Sequence, residues 1–567
     1  MHKIKLRSLG FIMGIAGACL LCSFAFNGTK TKPPVHDDQQ PRIVNIVNFI
    51  RLCEPRDKKI TEDILYETVV KQIALMRKYK LKGTFLLQYD ALCDPRYQRL
   101  LKALPADSFE IGAWWEMPQP LVEDAGLKWR GSAPWDPRAD VDFATGYSPA
   151  ERKKLADTYM IKFKSVFGYY PKSVGSWFMD AYTLNYLYKK YAIVASCNCK
   201  DQIGTDGYTL WGGYWNQAYY PSVKNAYMPA QHESNQIPVP VFRMLGSDPV
   251  RQYDNGLGTN RQGVVTLEPV YKFGGGDSAW VHWYFKQFVQ GESLAYAYVQ
   301  AGQENSFTWK AMKKGFKIQL PLISHLRDEK KLRVETLAAS GQWFRQHYKV
   351  TPPTAVTVNH DLPGSNRKTV WFDSRFYRMN LLWHNGTLRF RDIHLFNEQF
   401  ASPYLTQKST STRSSFFTLP FVDGHRWSAP QRVAGLRFKT ILNGKDVSIR
   451  GKNPHITRTS PGVLHISWPI GNSRDTLMMD LNERQIKMKM NGTPSIRWFL
   501  DLSAAAGAAL PFRHIGPHRI DCRFEGMNYS IVSRSGSFST PGDSVAFRMT
   551  PENNTIILNL SGRSKPN

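Results

Sequence analysis

Three carboxylates stand where chemistry would need them. Glu116 follows Trp114 and Trp115, Asp180 follows Trp177, Phe178 and Met179, and Glu304 lies between Gln303 and Asn305. Cleaving a glycosidic bond takes one protonated acid facing one carboxylate across the sugar, about 5 Å apart for retention of configuration and further apart for inversion. Tryptophan and tyrosine add flat apolar platforms whose polar edges bond hydroxyls. The pattern points to carbohydrate chemistry, with Asp180 as nucleophile or base and Glu304 or Glu116 as general acid, its pKa raised by burial or by neighbouring carboxylates. Arg51, Trp114, Trp115, Trp177, Gln303 and Asn305 are the expected sugar contacts. An aromatic loop adds Asp201, Asp206, Trp211, Trp215 and Tyr219, with His232 beyond it. Plainer roles stand beside these. Asp180 precedes a helical stretch it would cap, Asp201 and Asp206 neighbour Gly204 and Gly207 as turn formers would, Glu116 suits an ion pair at a barrel rim, and His232 suits a bond within its own loop.

The elements that must hold these residues alternate. Residues 43–50 (IVNIVNFI), 83–88 and 109–115 read as strands, and 61–80 as a helix with Leu65, Val69, Ile73 and Met76 on one face. Ser148-Pro149-Ala150-Glu151 opens another helix with a capping box and a proline at its first position, and Gly168 ends it. Further strands are expected at 173–178, 192–196, 239–244, 294–300 and 333–337, the last leading into a helical patch at 341–347. Such alternation implies parallel strands with helical crossovers, and seven or eight of them over some three hundred residues is the size of a (β/α) barrel. In that architecture chemistry sits at the carboxyl ends of strands, which is where Arg51, Glu116, Asp180 and Glu304 fall. Beyond a turn-rich linker (359–370) the segments 387–396, 433–442, 462–468, 485–490 and 554–560 are short, alternating and punctuated by Gly, Asn, Asp or Pro, as in an all-β sandwich. The expected layout is a barrel over 41–358 and a sandwich over 371–567, with no internal repeat.

The first 27 residues read as a secretory signal. Lys3, Lys5 and Arg7 precede an apolar stretch, with Ser23-Phe24-Ala25 as a small-x-small cleavage site and Cys19 in a partial lipobox. Export to the periplasm or cell surface is expected, with membrane association through this end. No later apolar run is long enough to span a bilayer. The 567 residues carry 74 Lys+Arg against 46 Asp+Glu, a net charge of +28, which attracts polyanions. No nucleic-acid motif accompanies that charge, so a polysaccharide or oligosaccharide, plausibly an anionic one, is the expected partner. Seven cysteines in so long a chain do not make a disulfide scaffold. No His/Cys/Asp set in the barrel half has ligand spacing, and His514 and His518 are separated by Gly516-Pro517, which breaks the helix that would align them. No metal or cofactor is expected.

Residues Ile43 to Arg51, Gly83-Thr84-Phe85-Leu86-Leu87, Glu110-Ile111-Gly112-Ala113, Tyr170-Pro171-Lys172-Ser173-Val174-Gly175 and the closing Glu335-Thr336-Leu337 with Trp343-Phe344 resemble the polysaccharide deacetylase superfamily, whose relatives include glycoside hydrolases of families 57 and 38. The resemblance implies a distorted (β/α)7 barrel. It departs from the metal-dependent deacetylases, which carry an Asp-Asp pair on the first strand and His-x-x-x-His on the third; here those strands offer Asn45 and Asn48, and Trp114-Trp115-Glu116. Family 57 logic, with a nucleophile after the fourth strand and an acid after the seventh, lands by position on Asp180 and Glu304. The trailing β domain resembles accessory domains of secreted glycosidases. An exported glycoside hydrolase is the leading expectation, beside a deacetylase with a rebuilt site and a non-catalytic glycan-binding surface protein.

Overall fold

The computed structural model describes residues 40–205, 207–471, 473–491, 496–542 and 545–562. The expected signal segment, with Cys19, and Asp206 lie outside the described residues. No helix among those described is long and apolar enough to cross a membrane.

The chain folds as a distorted α/β barrel followed by an antiparallel β-sandwich. Strand β1 (Arg42–Ile50) is buried along its whole length, the continuous apolar run of a parallel strand covered on both faces. It pairs with β2 (Gly83–Leu87), and the sheet runs on through β3 (Phe109–Trp114), β4 (Ser173–Gly175) and β5 (Ala195–Asn198). A hairpin follows, β6 (Gln202–Thr205) and β7 (Tyr208–Trp211), and then β8 (Ala218–Tyr219) and β9 (Val241–Arg243). Here β9 lies parallel beside β5, whereas β8 is antiparallel and forms the far edge. On the other side β10 (Ala297–Ala301) takes one edge of the first half of β1, and β11 (Arg333–Glu335) takes the edge that β2 occupies further along. The helix Pro149–Phe167 carries the expected capping box at Ser148 and Glu151, and Gly168 ends it at φ +84°. The strand expected over 333–337 stops at Glu335, because Thr336 caps the helix Leu337–His347 by accepting from the Ala339 amide.

No ladder joins β8 to β10; side chains close the barrel there. The Gln217 amide acts as a strand would, its Oε1 accepting from Tyr298 N at 2.9 Å and its Nε2 reaching Tyr298 O at 3.4 Å. The Tyr296 hydroxyl bridges Ala218 N and O at 3.0 and 2.6 Å. All four residues are buried, so removing these groups strands backbone donors and acceptors away from water. Gln217→Leu is expected to destabilise the chain by about 2–4 kcal/mol, the cost of two buried unpaired polar groups, read as a lower urea midpoint. An unchanged midpoint would show that the seam carries no such weight.

The second half begins earlier than the sequence suggested. Strand β12 (Thr354–Val358) already belongs to the sandwich, paired antiparallel with β13 (Lys368–Asp373), and β14 (Tyr377–His384) and β15 (Thr387–Leu395) extend the sheet. This ten-stranded sheet faces one of eight strands. Strand β16 (Ser414–Phe417) leaves the sandwich to lie parallel to β7 on the barrel's hairpin. The two halves are therefore joined through the aromatic loop, and that decides what the loop can do.

Candidate active site

Arg51 follows directly on β1 and organises what lies above the barrel. Asn305 holds its main chain from both sides, with Oδ1 accepting from Arg51 N at 2.9 Å and Nδ2 donating to Arg51 O at 2.8 Å. The guanidinium, 2% exposed, is flanked by two glutamates. Glu116, at the end of β3, takes it bidentately (Nη2–Oε1 2.7 Å, Nε–Oε2 3.0 Å) and also accepts from Gln88 Nε2 at 2.9 Å. Glu304 meets Nη1 through Oε2 at 2.7 Å. The Trp135 ring packs against the Arg51 Cζ at 4.2 Å and against the Arg56 Cζ at 4.6 Å.

Glu304 reaches this place because of Gly302. At φ +105° the chain turns over β1 so closely that a Cβ at Gly302 would stand 2.0 Å from Val47 O, a path open only to glycine. Asn48 Oδ1 then accepts from Gln303 N at 3.2 Å, and Gln303 Oε1 accepts from Glu304 N at 2.8 Å. The loop ends at Thr308, which sits at φ +64° and ψ 150°, a region nearly confined to glycine. Such strain persists only where the surroundings over-determine it.

Charge balance sets the protonation of the cluster. One guanidinium faces Glu116 and Glu304, and Asp142 is buried close enough to Glu116 to feel its charge. A single cation cannot offset three buried carboxylates, so protons must be retained. Burial lifts the Glu304 carboxyl to about 7 against the opposing pull of Arg51, and it lifts Asp142 well above the usual range, with Glu116 pushing the same way. Asp90 beneath them is raised to about 7, again chiefly by burial, even though the amides of Ala91 and Leu52 donate to it.

Two hollows meet here and share Arg56, Trp177 and Glu304. The inner recess, between Arg51, Glu116 and Trp135, has a volume of ≈ 30 Å³, room for about one water molecule. The outer cavity measures ≈ 590 Å³ and is lined further by Lys200, Arg261, Glu268, Tyr271 and Phe307, the size of a small-ligand site. Trp177 is held edge-on against Trp114 (5.5 Å) and Phe49 (5.2 Å), leaving part of its ring at the cavity. Glu268 joins the acid through one side chain: its Oε1 accepts from Gln303 Nε2 at 2.8 Å, and its Oε2 from Thr266 Oγ1 at 2.6 Å.

Of the expected residues, the structure brings Glu304 and Trp177 to both hollows and Arg51 and Glu116 to the inner recess alone, with Gln303 and Asn305 behind them. Several others are corrected. Asp180 is the cap of the helix Ala181–Tyr191, accepting from Thr183 N (2.9 Å) and Thr183 Oγ1 (2.7 Å) and paired with Arg152 at 3.0 Å, and it lines neither hollow. Trp114 is buried and stacked on Phe49 at 3.8 Å, and Trp115 is buried against Tyr159. The aromatic loop joins the two halves and is no sugar platform. Trp215 lies flat on Trp371 at 3.6 Å, Trp211 donates to Asp423 at 2.9 Å, and Tyr219 is enclosed, donating to Ala226 O. Asp201 is gripped by Arg243 and Arg378, which hold its carboxyl below the usual range despite its burial. His232 pairs with Glu398 of the second half at 2.5 Å.

Sequence reasoning missed Trp135, Asp142, Lys200 and Glu268. The first two and Glu268 lie in long irregular connections that carry no strand-end signal. Lys200 follows β5 closely and was within reach of the same rule that found Arg51. Where metal-dependent deacetylases place Asp-Asp, the Asn45 amide bonds Glu335 O (2.9 Å) and Ser340, while Asn48 ties the helix Glu62–Lys78, through Gln72, to Gln303. Among the described residues no group of three His, Cys, Asp or Glu is placed to hold a metal ion.

A family model described as a domain of unknown function with a solved structure, DUF3863, matches residues 141–350, less than half of the chain. No curated protein matches. Among solved structures, two described as putative enzymes are similar. One, a glycoside hydrolase/deacetylase of Parabacteroides distasonis, has 16% identity and TM-score 0.50, covering 66% of this chain and 88% of its own. The other, a polysaccharide deacetylase of Mycobacterium smegmatis, has 11% identity and TM-score 0.34, covering 56% and 95%. A family 57 branching enzyme of Thermococcus kodakaraensis has 11% identity and TM-score 0.30, covering 54% and 71%. Only the first is alike enough to speak to the fold, and it speaks to the fold alone.

Proposed function

We propose that this protein is a carbohydrate-processing hydrolase that cleaves a glycosidic bond in the outer cavity. Glu304 delivers the proton to the leaving oxygen, and Glu268 is the carboxylate that works with it. The reading is carried by one observation: a buried carboxyl that holds its proton to about pH 7 opens onto the same cavity as a second carboxylate and the half-buried Trp177 indole. An acid that gives up its proton near the working pH is what leaving-group protonation requires. Glu116 takes no proton in this scheme. Locked to Arg51 and Gln88, it fixes the guanidinium that in turn orients Glu304. Trp177 supplies the face against which a sugar ring packs.

The similar Parabacteroides distasonis structure, described as a glycoside hydrolase/deacetylase, is in keeping with a carbohydrate substrate. The test is to incubate the full chain with a panel of neutral and acidic polysaccharides while reading both reducing ends and free acetate. New reducing ends are expected, together with their loss in Glu268→Gln. Acetate without reducing ends would replace this reading with deacetylation, and retention of glycan without either product would leave a binding protein.

A further inference from the structure

We infer that the outer cavity contains a subsite for an anionic substituent of the sugar, a carboxylate or a sulfate ester, built on Lys200; the inference rests on the reading that this cavity takes a sugar. Lys200 comes just after β5 and is 2% exposed, yet it lines the cavity. Among the described residues its ammonium donates only to neutral oxygens, the Asp201 carbonyl at 3.3 Å and Gln202 Oε1 at 3.5 Å. Among the described residues no carboxylate lies within ion-pair distance of it. The neighbouring Asp201 is turned away, with both oxygens held by Arg243 and Arg378. A buried cation without a counter-charge is costly, and here the open side of the group is the cavity itself. Arg261 stands exposed at the same cavity, and its guanidinium makes no ion pair among the described residues. Arg56 differs from both, because Glu54 takes its guanidinium with bonds of 2.7 and 2.6 Å. Two cations with no carboxylate partner among the described residues therefore share the cavity with Glu304 and Trp177. A neutral sugar would leave Lys200 uncompensated, whereas a uronate or sulfated sugar supplies the missing charge. The net charge of +28 favours the approach of such a polymer.

Calorimetric titration of the full chain with glucuronate, glucose 6-sulfate and glucose tests this. At least one of the two anions should bind at least tenfold more tightly than glucose, and which of them wins tells carboxylate from sulfate. Lys200→Met should weaken that anion by about 10- to 100-fold, the range of a charge-assisted hydrogen bond, and leave glucose unchanged. Arg261→Gln, at an exposed position, should weaken it several-fold and guards against misfolding of the first variant, which thermal unfolding also monitors. Equal affinity for anions and glucose, or undiminished anion binding by a folded Lys200→Met, would overturn the subsite and leave the hydrolase reading standing. Anion binding that depends on Lys200 in a protein that cleaves no glycan would do the reverse.

Discussion

Glu304→Gln is expected to lower kcat on a susceptible glycan by about 10²–10⁴-fold, the usual contribution of a positioned acid, with KM nearly unchanged. The substitution keeps the shape of the side chain and removes only the proton that can be transferred. The pH profile gives the sharper reading. In the wild type the acid is competent while protonated, so kcat/KM should fall as pH rises through about 7, where Glu304 ionises. Residual turnover in the variant should lack that alkaline limb. A variant that keeps more than a tenth of the turnover, or an unaltered alkaline limb, would remove Glu304 from the chemistry.

Much of this site could be read from the sequence, because its frame is periodic. The buried run of β1 and the strand ends at Arg51, Glu116 and Glu304 follow from alternation plus the rule that parallel strands deliver chemistry at their carboxyl ends. Asp180 obeyed the same rule and was misread. A carboxylate just before a helix satisfies a cap and a catalytic site with the same spelling, and only the Arg152 side chain, arriving from another helix, separates the two. The aromatic loop failed for a different reason. Trp211, Trp215 and Tyr219 have the composition of a sugar platform, but the sandwich docks there through Trp371, Arg378 and β16, and nothing local records that a second half of the chain will cover them. Glu268 was invisible because its partner Gln303 is far away in the chain. Pairings of that kind belong to tertiary structure alone.

Arg51→Met should be the most damaging single change in the barrel, for electrostatic more than for packing reasons. Methionine keeps the unbranched apolar stem but not the guanidinium, so the substitution leaves Glu116 with Gln88 as its remaining partner at this point, and leaves Glu304 and Asp142 without the Arg51 cation. Breaking a buried ion pair from one side costs about 3–5 kcal/mol, a large share of a domain's net stability. The loss should depend on pH with a definite sign. In the wild type Glu304 already holds its proton to about 7 when folded, so its contribution to stability is present below its unfolded pKa and is lost as pH rises through about 7. Without Arg51 the carboxyls of Glu304 and Asp142 lose the cation that opposes their rise, and the folded state then binds more protons than the unfolded chain across a wider range. The deficit in urea midpoint should therefore be small near pH 5 and largest near pH 8. Adding Glu116→Gln to Arg51→Met removes the carboxylate that the arginine held bidentately, and should recover part of the loss at pH 8 while recovering little at pH 5. An equal deficit at both pH values would mean that Arg51 acts by filling space against Trp135, and the account of Arg51 as the cation that limits proton uptake by the cluster would fall with it.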